Sequence, residues 1–203
     1  MIDKAKLGQS SEIARLHKET IRNGFLSRLN ERHLISIYCF LIKKEIVIVY
    51  TRNEKIEGFV ALSKNSSIMM KKFVIHKPGT IFTMAFTTLT KPGLWVKLAE
   101  TFLAPFKTGK NKSGETGGHL PVAELLSISV SPLSQSSGIG SQLVGALEEW
   151  LIRENISRYK VIVGQELTLA NRFYQKNGFV LAGQVSIHGK KLSNVYIKKL
   201  DGQ

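Results

Sequence analysis

Apolar positions along this chain change period several times, and each change marks an element. Between Asn30 and Lys44, Leu34, Ile37, Tyr38 and Leu41 recur at i, i+3, i+4 and i+7, which predicts an amphipathic helix capped by Asn30. An earlier helix is expected behind Ser10 or Ser11 as N-cap, with Ile13, Leu16 and Ile21 turned to the core and a short strand over residues 2–7 ahead of it. Gly24-Phe25-Leu26-Ser27-Arg28 reads as a loop or short turn. The Val- and Ile-rich segments 46–51 and 56–63, parted by Arg52-Asn53-Glu54-Lys55, predict an antiparallel hairpin.

The pattern then loosens. Residues 64–118 hold two apolar stretches broken at Pro78-Gly79 and Pro92-Gly93, and Leu94, Leu98, Phe102 and Leu103 suggest a helix behind the second break. Residues 107–118 have loop composition. Regularity returns with a strand from Leu120 to Val130 and a helix from about Gly138, whose stripe is Ile139, Leu143, Leu147 and Leu151 with Trp150 beside it. A buried strand over 159–163 follows, then a helix from Thr168 to Lys176 stopped by Asn177-Gly178. Paired strands over 179–187 and 192–198 finish the chain. The order β-α-β-α-β-β predicts a mixed sheet with helices on its faces, in one domain over 1–203 interrupted by an insertion at about 64–118.

Composition narrows the classes. With 203 residues and 43% hydrophobic content the chain can bury an ample single core. No run of eighteen apolar residues occurs, and Asp3, Lys4 and Lys6 precede no apolar stretch, so neither a transmembrane segment nor a signal peptide is expected, and the cytoplasm is the expected location. The single cysteine, Cys39, lies in the apolar run 35–42; it excludes a disulfide within the chain and a cysteine-rich zinc site, and reads as core filling. No metal site is expected. A formal charge of +14 would suit nucleic acid, an anionic membrane surface or a phosphorylated cofactor. The basic residues nevertheless come in scattered pairs, Lys43-Lys44, Lys71-Lys72, Lys190-Lys191 and Lys198-Lys199, which reads as a solvated surface that steers anions rather than a nucleic-acid face.

Candidate chemistry concentrates between Val122 and Arg153. A strand leads into Gln135-Ser136-Ser137-Gly138-Ile139-Gly140-Ser141 and then a long helix; glycines admit close approach of an anion to backbone N–H groups, and the helix dipole adds its positive end, so the unit reads as a diphosphate cradle. Two nucleotide motifs fail. Gly109-Lys110 has Ala104 where a P-loop needs its first glycine and Asn111 where it needs Ser or Thr. A dinucleotide fingerprint would need glycine where Leu143 stands, and would begin directly after the strand instead of beyond Ser131-Pro132-Leu133-Ser134.

What Gln135-x-x-Gly138-x-Gly140 resembles, behind the strand Glu124-Leu125-Leu126-Ser127-Ile128-Ser129-Val130, is the acyl-CoA-binding motif of the GCN5-related N-acetyltransferase (GNAT) superfamily. Downstream, Ala170-Asn171-Arg172-Phe173-Tyr174-Gln175-Lys176-Asn177-Gly178-Phe179 resembles that family's second signature, a helix bearing a tyrosine and ending in Gly-Phe. The likeness is strong over 120–200, rests on element order over 1–63, and hardly reaches 64–118. It implies the acyl-CoA N-acyltransferase fold: α/β, with a mostly antiparallel twisted sheet whose two central parallel strands splay apart to admit acetyl-CoA.

The resemblance also implies roles. Ile128, Ser129 and Val130 would offer backbone hydrogen bonds to the pantetheine arm, and one of their amides would polarise the thioester carbonyl. Gln135, Ser136, Ser137, Gly138, Ile139, Gly140 and Ser141 would receive the pyrophosphate; the plainer reading is a tight turn at the glycines and a helix cap at Ser137. Tyr174 matches the acid that protonates the departing thiolate, or else packs as one more aromatic beside Phe173 and Phe179. Glu124 matches the base of some members, and burial beside Leu125 and Leu126 would favour that role; otherwise it is an exposed carboxylate at a strand end, with His119 or water as substitute. Many members carry asparagine seven positions before the tyrosine, where this chain has Leu167, so Asn171 is the candidate left for the arm, or else a local helix cap. An arginine common at the start of the loop motif is also missing.

The implied activity is transfer of an acetyl group from acetyl-CoA to a primary amine in a ternary complex, by a monomer or homodimer. Asn23 to Arg28 and the insertion would face the acceptor, with Arg22, Arg28, Phe25 and Leu26 suiting an anionic molecule such as a nucleotide-linked amino sugar, while a small amine and a peptide N-terminus are equally compatible. Phe25 and Leu26 could instead dock on Met69, Phe73 and Phe82 as core. Two other classes stand beside the enzyme: an acyl-CoA-binding module without catalysis, and a basic nucleic-acid- or membrane-associated protein using 81–106.

Overall fold

The computed structural model describes residues 1–21, 26–76, 79–80, 83, 120–188 and 191–200. Seven strands form one sheet: β1 (Ile2–Lys4), β2 (Ile46–Arg52), β3 (Lys55–Ser63), β4 (Glu124–Val130), β5 (Arg158–Gly164), β6 (Val180–His188) and β7 (Lys191–Lys199), in the order β1-β2-β3-β4-β5-β7-β6. Neighbours run antiparallel except β4 and β5, which are parallel. The helices are α1 (Ser10–Thr20), α2 (Glu31–Lys44), α3 (Ser66–His76), α4 (Ile139–Arg153) and α5 (Thr168–Lys176).

Each sheet face has its own core. Ile13 and Leu16 of α1, Leu34, Tyr38 and Leu41 of α2, and Met69 and Phe73 of α3 cluster with Val47, Val49, Phe59 and Ala61 on one face. On the other, the predicted stripe of α4 lies on Val60, Leu62, Leu125 and Val161 and meets Tyr174 and Phe179. Ile139, Leu143, Leu147 and Leu151 are each buried to 1% exposure or less, so this stripe anchors α4 over the strands that bear the site. The two faces make a three-layer α/β domain, as the alternation of periods predicts.

Local chemistry sets the boundaries. Asn30 caps α2 by accepting from His33 N at 2.9 Å. Behind the short strand β1, the N-cap position of α1 falls on Gln9, whose side chain makes no capping bond, instead of Ser10 or Ser11; Ser10 accepts from Cys39 Sγ at 3.2 Å, and Cys39 is half-buried rather than core filling. The β2–β3 hairpin is tighter than expected: Arg52 pairs with Lys55, and Asn53 and Glu54 both take positive φ, 49° and 64°, the two-residue turn that matches strand twist. β4 starts at Glu124, so Leu120 to Ala123 of the expected strand are not part of it. Met69 and Phe73 belong to the core, and Leu26 packs against it from outside. Residues 22–25, His119, Phe82, the helix expected after Pro92-Gly93 and the loop 107–118 lie outside the described residues.

Candidate active site

The strands that carry the site part from one another. Register between β4 and β5 holds only for Glu124 with Lys160 and Leu125 with Val161. Beyond that point β4 keeps β3 on one edge up to Val130, and β5 keeps β7 on one edge up to Gly164, so two free strand edges face each other across a gap. Backbone amides and carbonyls along such edges can accept an extended amide-bearing chain as an additional strand. A bulge sits at the fork. Ala61 pairs with Ser127 but Leu62 with Leu125, which makes Leu126 the extra residue of β4. It turns Leu126 and Ser127 to the same face: Leu126 packs with the α1–α2 core, and Ser127 Oγ meets the hydroxyl of Tyr38 at 3.2 Å.

Glu124 stands where the strands begin to part. Its carboxylate accepts from Ser66 Oγ at 2.7 Å and lies 3.5 Å from Lys160 Nζ, which also donates to the Pro121 carbonyl at 2.6 Å. The glutamate is therefore neither a bare carboxylate among leucines nor an exposed one, since it and Lys160 are 19% and 13% exposed.

At the open end β4 runs through a 3₁₀ turn, Pro132–Ser134, into the glycine loop. Ser136 and Gly138 adopt positive φ, 62° and 83°, and Gly138 is the left-handed N-cap of α4 with no side chain capping the helix. Ser137 Oγ does not cap; it donates back to Ser134 O at 2.5 Å. Among the described residues, no backbone amide from Gln135 through Ser141 has a protein acceptor, and no acidic side chain occupies the first turn of α4. Seven free donors at the positive end of a fifteen-residue helix form a nest suited to a diphosphate. Gly140 has a different task. A Cβ there would meet Phe173 Cε2 at 3.0 Å, so this glycine lets the start of α4 sit against α5.

That contact ties the loop to the second signature. α5 ends in a glycine cap, with Gly178 at φ 81°, Gly178 N donating to Gln175 O at 3.0 Å and Phe179 N to Tyr174 O at 3.1 Å. The rings of Tyr174 and Phe179 meet edge-on at 5.2 Å, Phe173 adds a second edge at 5.3 Å, and Tyr196 stacks at 6.3 Å. Both readings of Tyr174 thus meet in one side chain, which is packed as an aromatic and has no hydrogen-bond partner for its hydroxyl among the described residues at 5% exposure. Burial pushes the phenol above its ordinary value, so it stays protonated. An orphaned buried donor of this kind wants a ligand atom.

Asn171 is differently placed. Its Nδ2 donates to Gly164 O at 3.0 Å and Leu167 O at 2.7 Å, and its Oδ1 accepts from Asn194 Nδ2 at 2.8 Å and Tyr196 OH at 3.0 Å. All of its capacity is spent inside the protein, binding α5 to β5 and β7, which leaves nothing over for a cofactor arm.

A buried polar chain that was not expected from the sequence lies on the opposite face. His17 Nδ1 lies 2.6 Å from Tyr38 OH, and Thr20 Oγ1 bonds Ser129 Oγ and donates to Leu16 O at 2.6 Å. The signal was present: Tyr38 sits in an otherwise apolar stripe, and serine occupies alternate positions of β4.

A seven-stranded sheet opened at one parallel pair, with a glycine-loop helix beneath the fork, is the acyl-CoA N-acyltransferase fold. Residues 104–179 match the model of the Acetyltransferase (GNAT) family. No curated protein sequence matches. Among solved structures, the chain is similar to an N-acetyltransferase from Staphylococcus aureus Mu50, with 16% identity, TM-score 0.62, and 99% of this chain and 98% of that one covered. It is also similar to yncA from Salmonella typhimurium, solved with its cofactor acetyl-CoA, at 14% identity and TM-score 0.58 over 100% and 95% of the two chains. A third is the ribosomal-protein-S18-alanine N-acetyltransferase from Escherichia coli, at 12% identity and TM-score 0.59 over 98% and 93%. At these identities the likeness establishes the fold.

Proposed function

We propose that the chain transfers an acetyl group from acetyl-CoA to a primary amine by direct attack in a ternary complex. The observation that carries this reading is the run of amides from Gln135 to Ser141 at the head of α4, without acceptors among the described residues and beside two free strand edges. The free amides suit the diphosphate, and the gap between β4 and β5 suits the pantetheine arm, with Ile128, Ser129 and Val130 on its β4 side. A backbone amide of that edge polarises the thioester carbonyl.

Attack forms the N–C bond, collapse breaks C–S, and two protons must move. Glu124, fixed by Lys160 and Ser66 where the strands part, takes the proton from the amine through water. Tyr174, buried, protonated and without a hydroxyl partner among the described residues, gives its proton to the departing thiolate. Arg28, in the turn ahead of α2, faces the acceptor in this reading. No helix among the described residues is long and apolar enough to cross a membrane, which fits an enzyme working in the cytoplasm.

A thiol-release screen over peptide N-termini, small amines and nucleotide-linked amino sugars identifies the acceptor class. With the acceptor so found, Tyr174→Phe lowers kcat about 100-fold or more and leaves acetyl-CoA affinity within about threefold. Equal loss of both would refute this division of roles.

A further inference from the structure

The fork leaves β4 mechanically exposed. From Leu126 to Val130 it has a strand on one edge only, and the bulge interrupts even that ladder. Two of its side chains facing α1 and α2 are serines, although Ser127 and Ser129 are only 9% and 6% exposed. Apolar residues would fill those positions without the cost of burying hydroxyls. Each serine is instead gripped from a helix, Ser127 by Tyr38 of α2 and Ser129 by Thr20 of α1.

The grip on Ser127 has a direction. Ser27 Oγ donates to the Ile21 carbonyl and so faces His17 Nε2, at 3.5 Å, as an acceptor. His17 then carries its proton on Nε2 and accepts at Nδ1 from Tyr38, whose oxygen accepts in turn from Ser127. Burial keeps the imidazole neutral, which preserves that polarity.

We propose that Tyr38, oriented by His17, and Thr20 are positioning residues of the acyl-transfer site, holding the free half of β4 through Ser127 and Ser129 where the parting strands leave it without a neighbour. The proposal rests on the acetyl-CoA reading above. It makes the hydroxyl clamps, rather than a strand partner, responsible for aligning the edge amide with the thioester carbonyl.

The test uses the full chain and acetyl-CoA labelled with ¹³C at the thioester carbonyl, with calorimetry for affinity and infrared difference spectra for the carbonyl stretch. Binding to the wild type should lower the stretching frequency. Tyr38→Phe and Thr20→Val should bind within about threefold of wild type and lose about half or more of that shift, an effect on alignment rather than on uniform binding. His17→Asn, which keeps an acceptor near Nδ1, should retain the shift, whereas His17→Leu should lose it. Should Tyr38→Phe fail to fold, Ser127→Ala breaks the same bond from the strand side. A full shift in the clamp variants, an equal result for His17→Asn and His17→Leu, or no shift in the wild type would overturn the proposal while acetyl-CoA binding stands. Failure of the wild type to bind acetyl-CoA would remove the underlying reading and this proposal with it.

Discussion

His17 shows how a single buried side chain couples the fold to pH. It is 2% exposed, and burial lowers its pKa from 6.5 to about 4. Below pH ~6.5 the unfolded chain binds a proton that the native chain refuses until about pH 4, so stability rises with pH across this window and is level above it. The full effect is about 3 kcal/mol, lost as pH falls from ~6.5 to ~4. Urea titrations at steps between pH 7.5 and 4.5 should show this loss, and His17→Asn should flatten it; an unchanged slope in the variant would place the proton uptake elsewhere. Tyr174 illustrates the other limit at this scale. Its place on α5 beside Phe179 was readable from Phe173-Tyr174 and Gly178-Phe179, but its lack of a partner among the described residues was not, because that depends on where α4, β5 and β7 bring their own polar groups. Asn171 shows the same gap, since Asn194 and Tyr196, which use up its carbonyl, lie more than twenty residues away.

Among the elements, the two signature motifs prove to be one packed unit. Gly140 starts α4 against Phe173 of α5, and the glycine cap after α5 holds Phe179 on Tyr174. Gly140→Ala should therefore cost about 1–3 kcal/mol by overpacking, and Gly140→Ala with Phe173→Leu should recover most of it, because removing ring atoms makes room for the methyl. Thermal or urea unfolding of the four proteins of the cycle measures this, and purely additive effects would contradict the contact. Periodicity made most elements legible. The α4 stripe, the capped α2, α5 and the β2–β3 pairing all follow from local spacing that tertiary contacts reinforce. Boundaries shifted where a distant partner decides, as at β4, which becomes a strand only where β3 reaches it at Ser63. The bulge at Leu126 had no local signal, since its sequence reads as an even strand and only register with β3 reveals the extra residue.

On the scale of the whole molecule, the sheet order explains why the site lies where it does. A single parallel pair among antiparallel neighbours forces a crossover through α4, so the loop entering that helix lies at the end of β4, where the strands have already parted. The gap between β4 and β5 and the glycine nest follow from this one topological choice. In the proposed reaction the net charge of +14 adds a field that draws an anionic cosubstrate towards the nest, without itself fixing a partner. Acetyl-CoA binding is checked by calorimetric titration of the full chain, run beside Gly138→Val, which places a branched side chain at a φ of 83° inside the nest. The wild type should bind one acetyl-CoA per chain saturably, and a folded Gly138→Val should not. No heat of binding for the wild type at high protein concentration, or equal binding by both, would contradict the acetyl-CoA reading.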